Sequence, residues 1–173
     1  MSPPFRKQAV LTSSRPLQIC ALRDGAHGEI EAGIHGQVGK GAYSIVLSSG
    51  GYADVDEGDL IKYCGTAGSD CQPTAGTVLL KESVKFRTPV RLLRSAALPA
   101  SSEYRPAKGL RYDGLYETVG DPEVLDDETA MYLFTLRRRA GQDPIRYQGA
   151  EMRPTEEEVE ADASRRKLEK GDV

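Results

Sequence analysis

The chain has 173 residues, 39% of them hydrophobic, with 23 Lys and Arg against 26 Asp and Glu for a formal charge of −3. That length suits one domain with a sizeable core. No apolar run is long enough to cross a bilayer and no secretory leader is evident, so a soluble intracellular protein without a membrane partner is expected.

Residues 1–16 are rich in Pro, Ser and Thr without periodicity and read as a flexible N-terminal arm. Residues 17–23 alternate apolar with small or polar side chains, predicting a first strand that ends at the Asp24-Gly25 turn. Residues 43–48 form a stronger strand signal, closed by Gly50-Gly51. Residues 59–63 predict a short strand leading into a Gly-rich loop at 65–70. Residues 77–86 fit either a strand or a short helix, and 90–94 read as a strand. Asp113-Gly114, flanked by Tyr112 and Tyr116, predicts a tight turn between two tyrosine-bearing strands. Residues 115–119 and 131–137 look like the arms of a hairpin joined by an acidic loop. Many short strands at this spacing predict a mainly β, α+β fold: a strongly bent sheet or barrel with short flanking helices.

Beyond Tyr147 the character changes. Thr155 and Glu158 make a capping-box pattern, yet large apolar residues are scarce. A solvated helix or a disordered tail is expected over 149–173, leaving 17–148 as the domain.

Cys20, Cys64 and Cys71 do not make a disulfide framework, and a reducing compartment fits. With His27 and His35 they lack paired zinc-ligand spacings, so no metal is expected. Gly39-Lys40 is not a phosphate loop, because Ile34 and Gly41 occupy positions that such a loop reserves for Gly and for Ser or Thr. No cofactor and no catalytic constellation is expected.

Two blocks stand out that turn and helix rules do not require. One is Gly109-Leu110-Arg111-Tyr112-Asp113-Gly114-Leu115-Tyr116. The other is Ala32-Gly33-Ile34-His35-Gly36 followed by Gly41-Ala42-Tyr43-Ser44-Ile45-Val46-Leu47 and Gly50-Gly51-Tyr52. Over residues 18–144 the chain thereby resembles the SRA domain (SET- and RING-associated, also called YDG). Members of that family bind modified cytosine in DNA by flipping it out, on a twisted β-barrel flanked by helices. The resemblance implies a non-catalytic reader of duplex DNA containing 5-methylcytosine, nuclear if the source is eukaryotic. The alternatives are an SRA-fold protein-interaction module, with a partner bound through the acidic C-terminal tail, and the targeting domain of a modification-dependent nuclease.

The resemblance also implies a pocket. Tyr52 and Tyr63 would stack on the flipped base, with Asp54 accepting the exocyclic amino group and Asp56 as the fallback if the register slips. Backbone N–H groups of Ser49, Gly50 and Gly51 would approach the remaining edge. Thr66, following Tyr63-Cys64-Gly65, would line the recess for the 5-methyl group together with Tyr52, and Cys64 belongs to the same base pocket. Stacking is worth ~1–3 kcal/mol per base, and extrusion costs a few kcal/mol. Two rings therefore roughly cover the extrusion. Thymine would leave two acceptors facing each other at Asp54, at a cost of about 1–3 kcal/mol. The methyl group adds only about 0.8 kcal/mol, so a modest preference for methylcytosine is expected.

The surface expected against DNA comprises Glu31, Ala32, His35, Gly36, Lys40, Gly65, Gln72, Lys81 and Lys85. Hemimethylation readers of this family insert an apolar residue just before the Ala-Gly-Ile-His-Gly block. Glu31 stands there, and a carboxylate amid phosphates does not make a wedge. Gln72 is the obvious amide in the short path from 70 to 77. The negative total charge is unusual for a DNA binder. Its distribution is uneven: Lys81, Lys85, Arg87, Arg91, Arg94, Arg105, Lys108 and Arg111 face only Glu82 and Glu103 within 81–111.

Overall fold

The computed structural model describes residues 32–48, 53–66, 68 and 70–170. The expected arm at 1–16 and first strand at 17–23 lie outside them, as do Glu31, Ser49, Gly50, Gly51 and Tyr52.

β1 (Ile34–Gln37) and β2 (Gly41–Leu47) form an antiparallel hairpin. A bulge interrupts their pairing between His35 and Gly36, where a Cβ on Gly36 would fall 2.3 Å from the Gly41 carbonyl oxygen. β2 is buried along nearly its whole length because it pairs with β1 on one side, runs parallel to β5 (Val90–Ser95) on the other, and is covered by a helix. This explains its near-continuous apolar run.

That helix, α1 (Ala75–Phe86), resolves the ambiguity over 77–86. Thr74 caps it with an extended backbone, its hydroxyl accepting from Thr77 N–H. Thr77, Leu80 and Ser83 recur at helical spacing and are buried. Ser83 fits inside because its Oγ accepts from Ala42 N–H at 2.8 Å and donates to the Leu79 carbonyl. Arg87 ends the helix in the left-handed conformation.

The remaining strands are β3 (Val55–Asp56), β4 (Leu60–Cys64), β6 (Leu110–Thr118), β7 (Glu123–Asp126) and β8 (Met131–Arg138). The sheet runs β1-β2-β5-β6-β8-β4-β3, with β7 paired to β8. It is mixed, and its described strands do not close into a barrel. It is nevertheless strongly bent, as expected. Ile34 of β1, the first strand in the order, and Ile61 and Tyr63 of β4, the next to last, share one core with Leu80, Leu92, Tyr116, Phe134 and Leu136. Each large apolar side chain in that cluster contributes roughly 1.5–3 kcal/mol by leaving water.

Two expectations need correcting. Asp113-Gly114 does not form a hairpin turn: both lie inside one continuous strand, β6. Gly114 has φ +111 and pairs with Leu92 while Leu93 pairs with Tyr112, so Asp113 is the extra residue of a bulge in β6 and the glycine bends the strand instead of reversing it. The acidic stretch is likewise more than a loop, because Glu123–Asp126 adds β7 beside β8. The tail is a helix, α2 (Glu156–Lys170), and its capping box closes in both directions: Thr155 N–H to Glu158 Oε2 at 2.8 Å and Glu158 N–H to Thr155 Oγ1 at 3.2 Å.

Candidate nucleic-acid interface

β3 and β4 pair antiparallel with Val55 opposite Lys62 and Asp56 opposite Ile61. Continuing that register brings Asp54 opposite Tyr63. Asp54 Oδ1 accepts from Cys64 N–H at 2.7 Å, which anchors the carboxylate at the end of β4. Burial pushes the Asp54 carboxyl above its ordinary value and the nearby Asp56 charge adds to this, while the Cys64 N–H pulls it down. The Cys64 thiol is raised too, first by burial and then by Asp54, so it is a poor nucleophile.

The chain then passes directly into the Gly-rich segment. Gly65 donates its N–H to the Tyr132 carbonyl at 2.8 Å, and a Cβ there would meet Thr77 Oγ1 at 2.8 Å. The Thr66 carbonyl accepts from Thr77 Oγ1 at 3.0 Å and Thr74 Oγ1 at 3.3 Å, and the Thr66 and Thr74 hydroxyls pair with each other. Three threonines thus lock the loop against the N-terminus of α1.

Asp54, Tyr63, Cys64, Gly65 and Thr66 therefore gather at one end of β4. Tyr63 is 6% exposed and packs in the core. Gly65 is buried with its N–H committed inside the fold. Thr66 is exposed.

The expected DNA-contact residues spread more widely. Lys81 on α1 places its Nζ 4.2 Å from the centre of the Tyr132 ring, beside the strand that bonds Gly65. Gln72 is exposed after the Gly-rich segment, its N–H donated to Asp70 Oδ1. His35 is half-buried on β1 with its ring 6.1 Å from Tyr43, and Ala32 is exposed. Lys40 sits in the β1–β2 turn, where its carbonyl accepts from Thr88 Oγ1 beyond the C-terminus of α1. Lys85 is exposed near that same end. α1 is 12 residues long, which separates its two ends by ~18 Å.

Asp56, the fallback carboxylate, is already engaged. Its two oxygens accept from Arg94 Nε at 2.8 Å and Arg94 NH2 at 2.6 Å. Arg94 is fully buried and also donates to Asp113 Oδ2 at 2.8 Å and the Gly58 carbonyl at 2.9 Å. Arg111 grips the same Asp113 at 2.6 and 2.9 Å and reaches the Tyr104 carbonyl at 2.7 Å. Burial opposes the Arg94 charge, but the Asp56 hydrogen bond and the Asp113 charge more than offset it and raise its pKa. Burial pushes the adjacent Tyr116 phenol up to about 12. Two residues of the basic run, Arg94 and Arg111, are thus internal and unavailable to phosphates. Sequence reasoning gave this cluster no role. The signal was present: arginines inside apolar strands, and Arg111 and Asp113 at alternate positions of one strand.

The sequence model of the SAD/SRA domain family matches residues 14–142. The chain belongs to the SAD/SRA family. This SRA domain is 31% identical over 183 aligned residues to the E3 ubiquitin-protein ligase UHRF1 of Rattus norvegicus, covering 84% of this chain and 24% of that protein. It is 34% identical over 147 residues to the UHRF1-like protein of Cryptococcus neoformans var. grubii, covering 72% of this chain and 42% of the other. The chain thus spans less than half the length of these relatives. Among solved structures, the SRA domain resembles SUVH5 SRA bound to fully hydroxymethylated CG DNA, at TM-score 0.59, 28% identity, 79% of this chain and 93% of that one. It also resembles the modification-dependent TagI restriction endonuclease, at TM-score 0.60, 29% identity, 79% of this chain and 54% of that one.

Proposed function

We propose that this SRA domain reads duplex DNA carrying 5-methylcytosine, holding the flipped base between Tyr63 and Tyr52 with Asp54 accepting its exocyclic amino group. The observation that carries the reading is the Asp54 carboxylate at the end of β4, opposite Tyr63, with one oxygen fixed by Cys64 N–H. A fixed acceptor beside an aromatic wall is what recognition of an extruded cytosine requires. Structural neighbours solved with methylated and hydroxymethylated DNA support the assignment. The domain acts as a reader without catalysis of its own, in the nucleus where the source is a eukaryote. The ligase named in the UHRF1 relatives belongs to much longer proteins.

Fluorescence anisotropy of the full chain against matched duplexes bearing cytosine, 5-methylcytosine or 5-hydroxymethylcytosine, at two salt concentrations, tests this. The modified duplexes bind more tightly, and all binding weakens with salt because phosphates dominate affinity. Equal affinities, unaffected by Asp54→Ala, overturn the reading.

The likeness to TagI favours a second reading, in which the domain targets a modification-dependent nuclease. Methylation-dependent cleavage reconstituted with a separate nuclease domain distinguishes it from a stand-alone reader.

A further inference from the structure

Among the described residues β3 has two residues and pairs with β4 alone, at the end of the strand order. So short an edge strand holds its flanking residues weakly. Asp54 precedes it immediately, two residues before Asp56 and hence within ~7 Å along the chain. Both Asp56 oxygens are gripped by the guanidinium fork of Arg94, which also holds the Gly58 carbonyl. Tyr116 Oη donates to that carbonyl at 2.7 Å as well. Arg94 is itself fixed from behind by Asp113, and Asp113 by Arg111.

We propose that Arg94 is a positioning residue of the base site: through Asp56 it fixes the strand that presents Asp54 to a pyrimidine. This rests on Asp54 being the cytosine acceptor. Stability alone does not account for the arrangement, because buried ion clusters are often replaceable by apolar side chains without loss. What the fork supplies is direction. A planar guanidinium with both carboxylate oxygens in hand fixes Asp56 in orientation as well as distance, which an ammonium does not. The cluster of Arg94, Arg111, Asp56 and Asp113 balances in formal charge, two guanidinium groups against two carboxylates.

Two variants of the full chain test this, Arg94→Lys and Asp56→Asn, against duplexes bearing one 5-methylcytosine or one thymine at the same position. In folded variants the methylcytosine-over-thymine affinity ratio falls about tenfold or more, as expected for disturbing a hydrogen bond to a charged group. The salt slope of binding stays as in the parent, because neither variant removes a phosphate contact. Hydrogen exchange gives a readout independent of DNA: the Cys64 amide, bonded to Asp54, exchanges about tenfold faster, while the Val46 amide in β2 does not. Should Arg94→Lys fail to fold, Asp56→Asn, which keeps the shape and one acceptor oxygen, decides. A folded variant that keeps both the ratio and the Cys64 protection overturns the proposal, as does one in which only the melting temperature falls. If the parent chain shows no methylcytosine preference, the proposed function fails instead. The Cys64 amide then still decides whether Arg94 positions Asp54.

Discussion

Cys64 N–H lies 2.7 Å from Asp54 Oδ1, committing one oxygen of that carboxylate to the backbone. Under the proposed function the base meets Oδ2. Asp54→Asn keeps the anchoring, since an amide oxygen still accepts from Cys64 N–H, though more weakly than a carboxylate, but turns an NH2 donor toward the base. Against the amino group of cytosine this sets donor to donor, at a cost of about 1–3 kcal/mol. Against thymine it sets donor to acceptor. The expected outcome is a loss of methylcytosine affinity by tenfold or so together with a gain for thymine at the same position. Competition anisotropy with the two duplexes reads both changes.

The raised pKa of Asp54 has two consequences of opposite sign. Under the proposed function binding needs the ionised acceptor, so affinity for methylated DNA should fall as pH drops, beginning above the ordinary carboxylate value of 3.8. Stability moves the other way. The folded state binds this proton more tightly than the unfolded chain, so the ionised group costs stability at neutral pH, and that cost fades as pH falls through the folded pKa. Thermal melts of the parent and Asp54→Asn across pH should show the Asn variant ahead at pH 7 and the gap closing in acid.

Some of this was legible in the sequence and some was not. β2 and β5 announced themselves through β-branched and leucine-rich runs, and the Thr155–Glu158 box marked the start of α2. Asp113-Gly114 misled because a turn-forming dipeptide and a glycine that kinks a strand look alike locally. Only the pairing of β6 with β5 and the ion pairs to Arg94 and Arg111 decide between them. Asp56 misled for a related reason: a carboxylate near a candidate pocket carries no mark of the buried arginine, 38 residues away, that claims it.

Asp113 is the hub of that cluster, accepting from both Arg94 and Arg111. Asp113→Ala leaves two buried guanidinium groups with Asp56 as their one remaining carboxylate among the described residues, and breaking such a pair costs about 3–5 kcal/mol. Urea denaturation should report a loss of that size. Asp113→Asn, which preserves the acceptor oxygen and the shape, should lose less.

Under the proposed function, a Lys81 variant tests phosphate attraction apart from base recognition. The Lys81 ammonium rests over the Tyr132 ring at 4.2 Å, close to the strand that bonds Gly65. Lys81→Ala should weaken binding to methylated and unmethylated duplexes equally and lower the salt slope by about 1, as for loss of one phosphate contact. The Asp54 variants should do the reverse, changing the methylcytosine preference at constant slope. Salt titrations of both variants against both duplexes read the two effects separately. A Lys81→Ala change confined to the methylated duplex would place that side chain in base recognition instead.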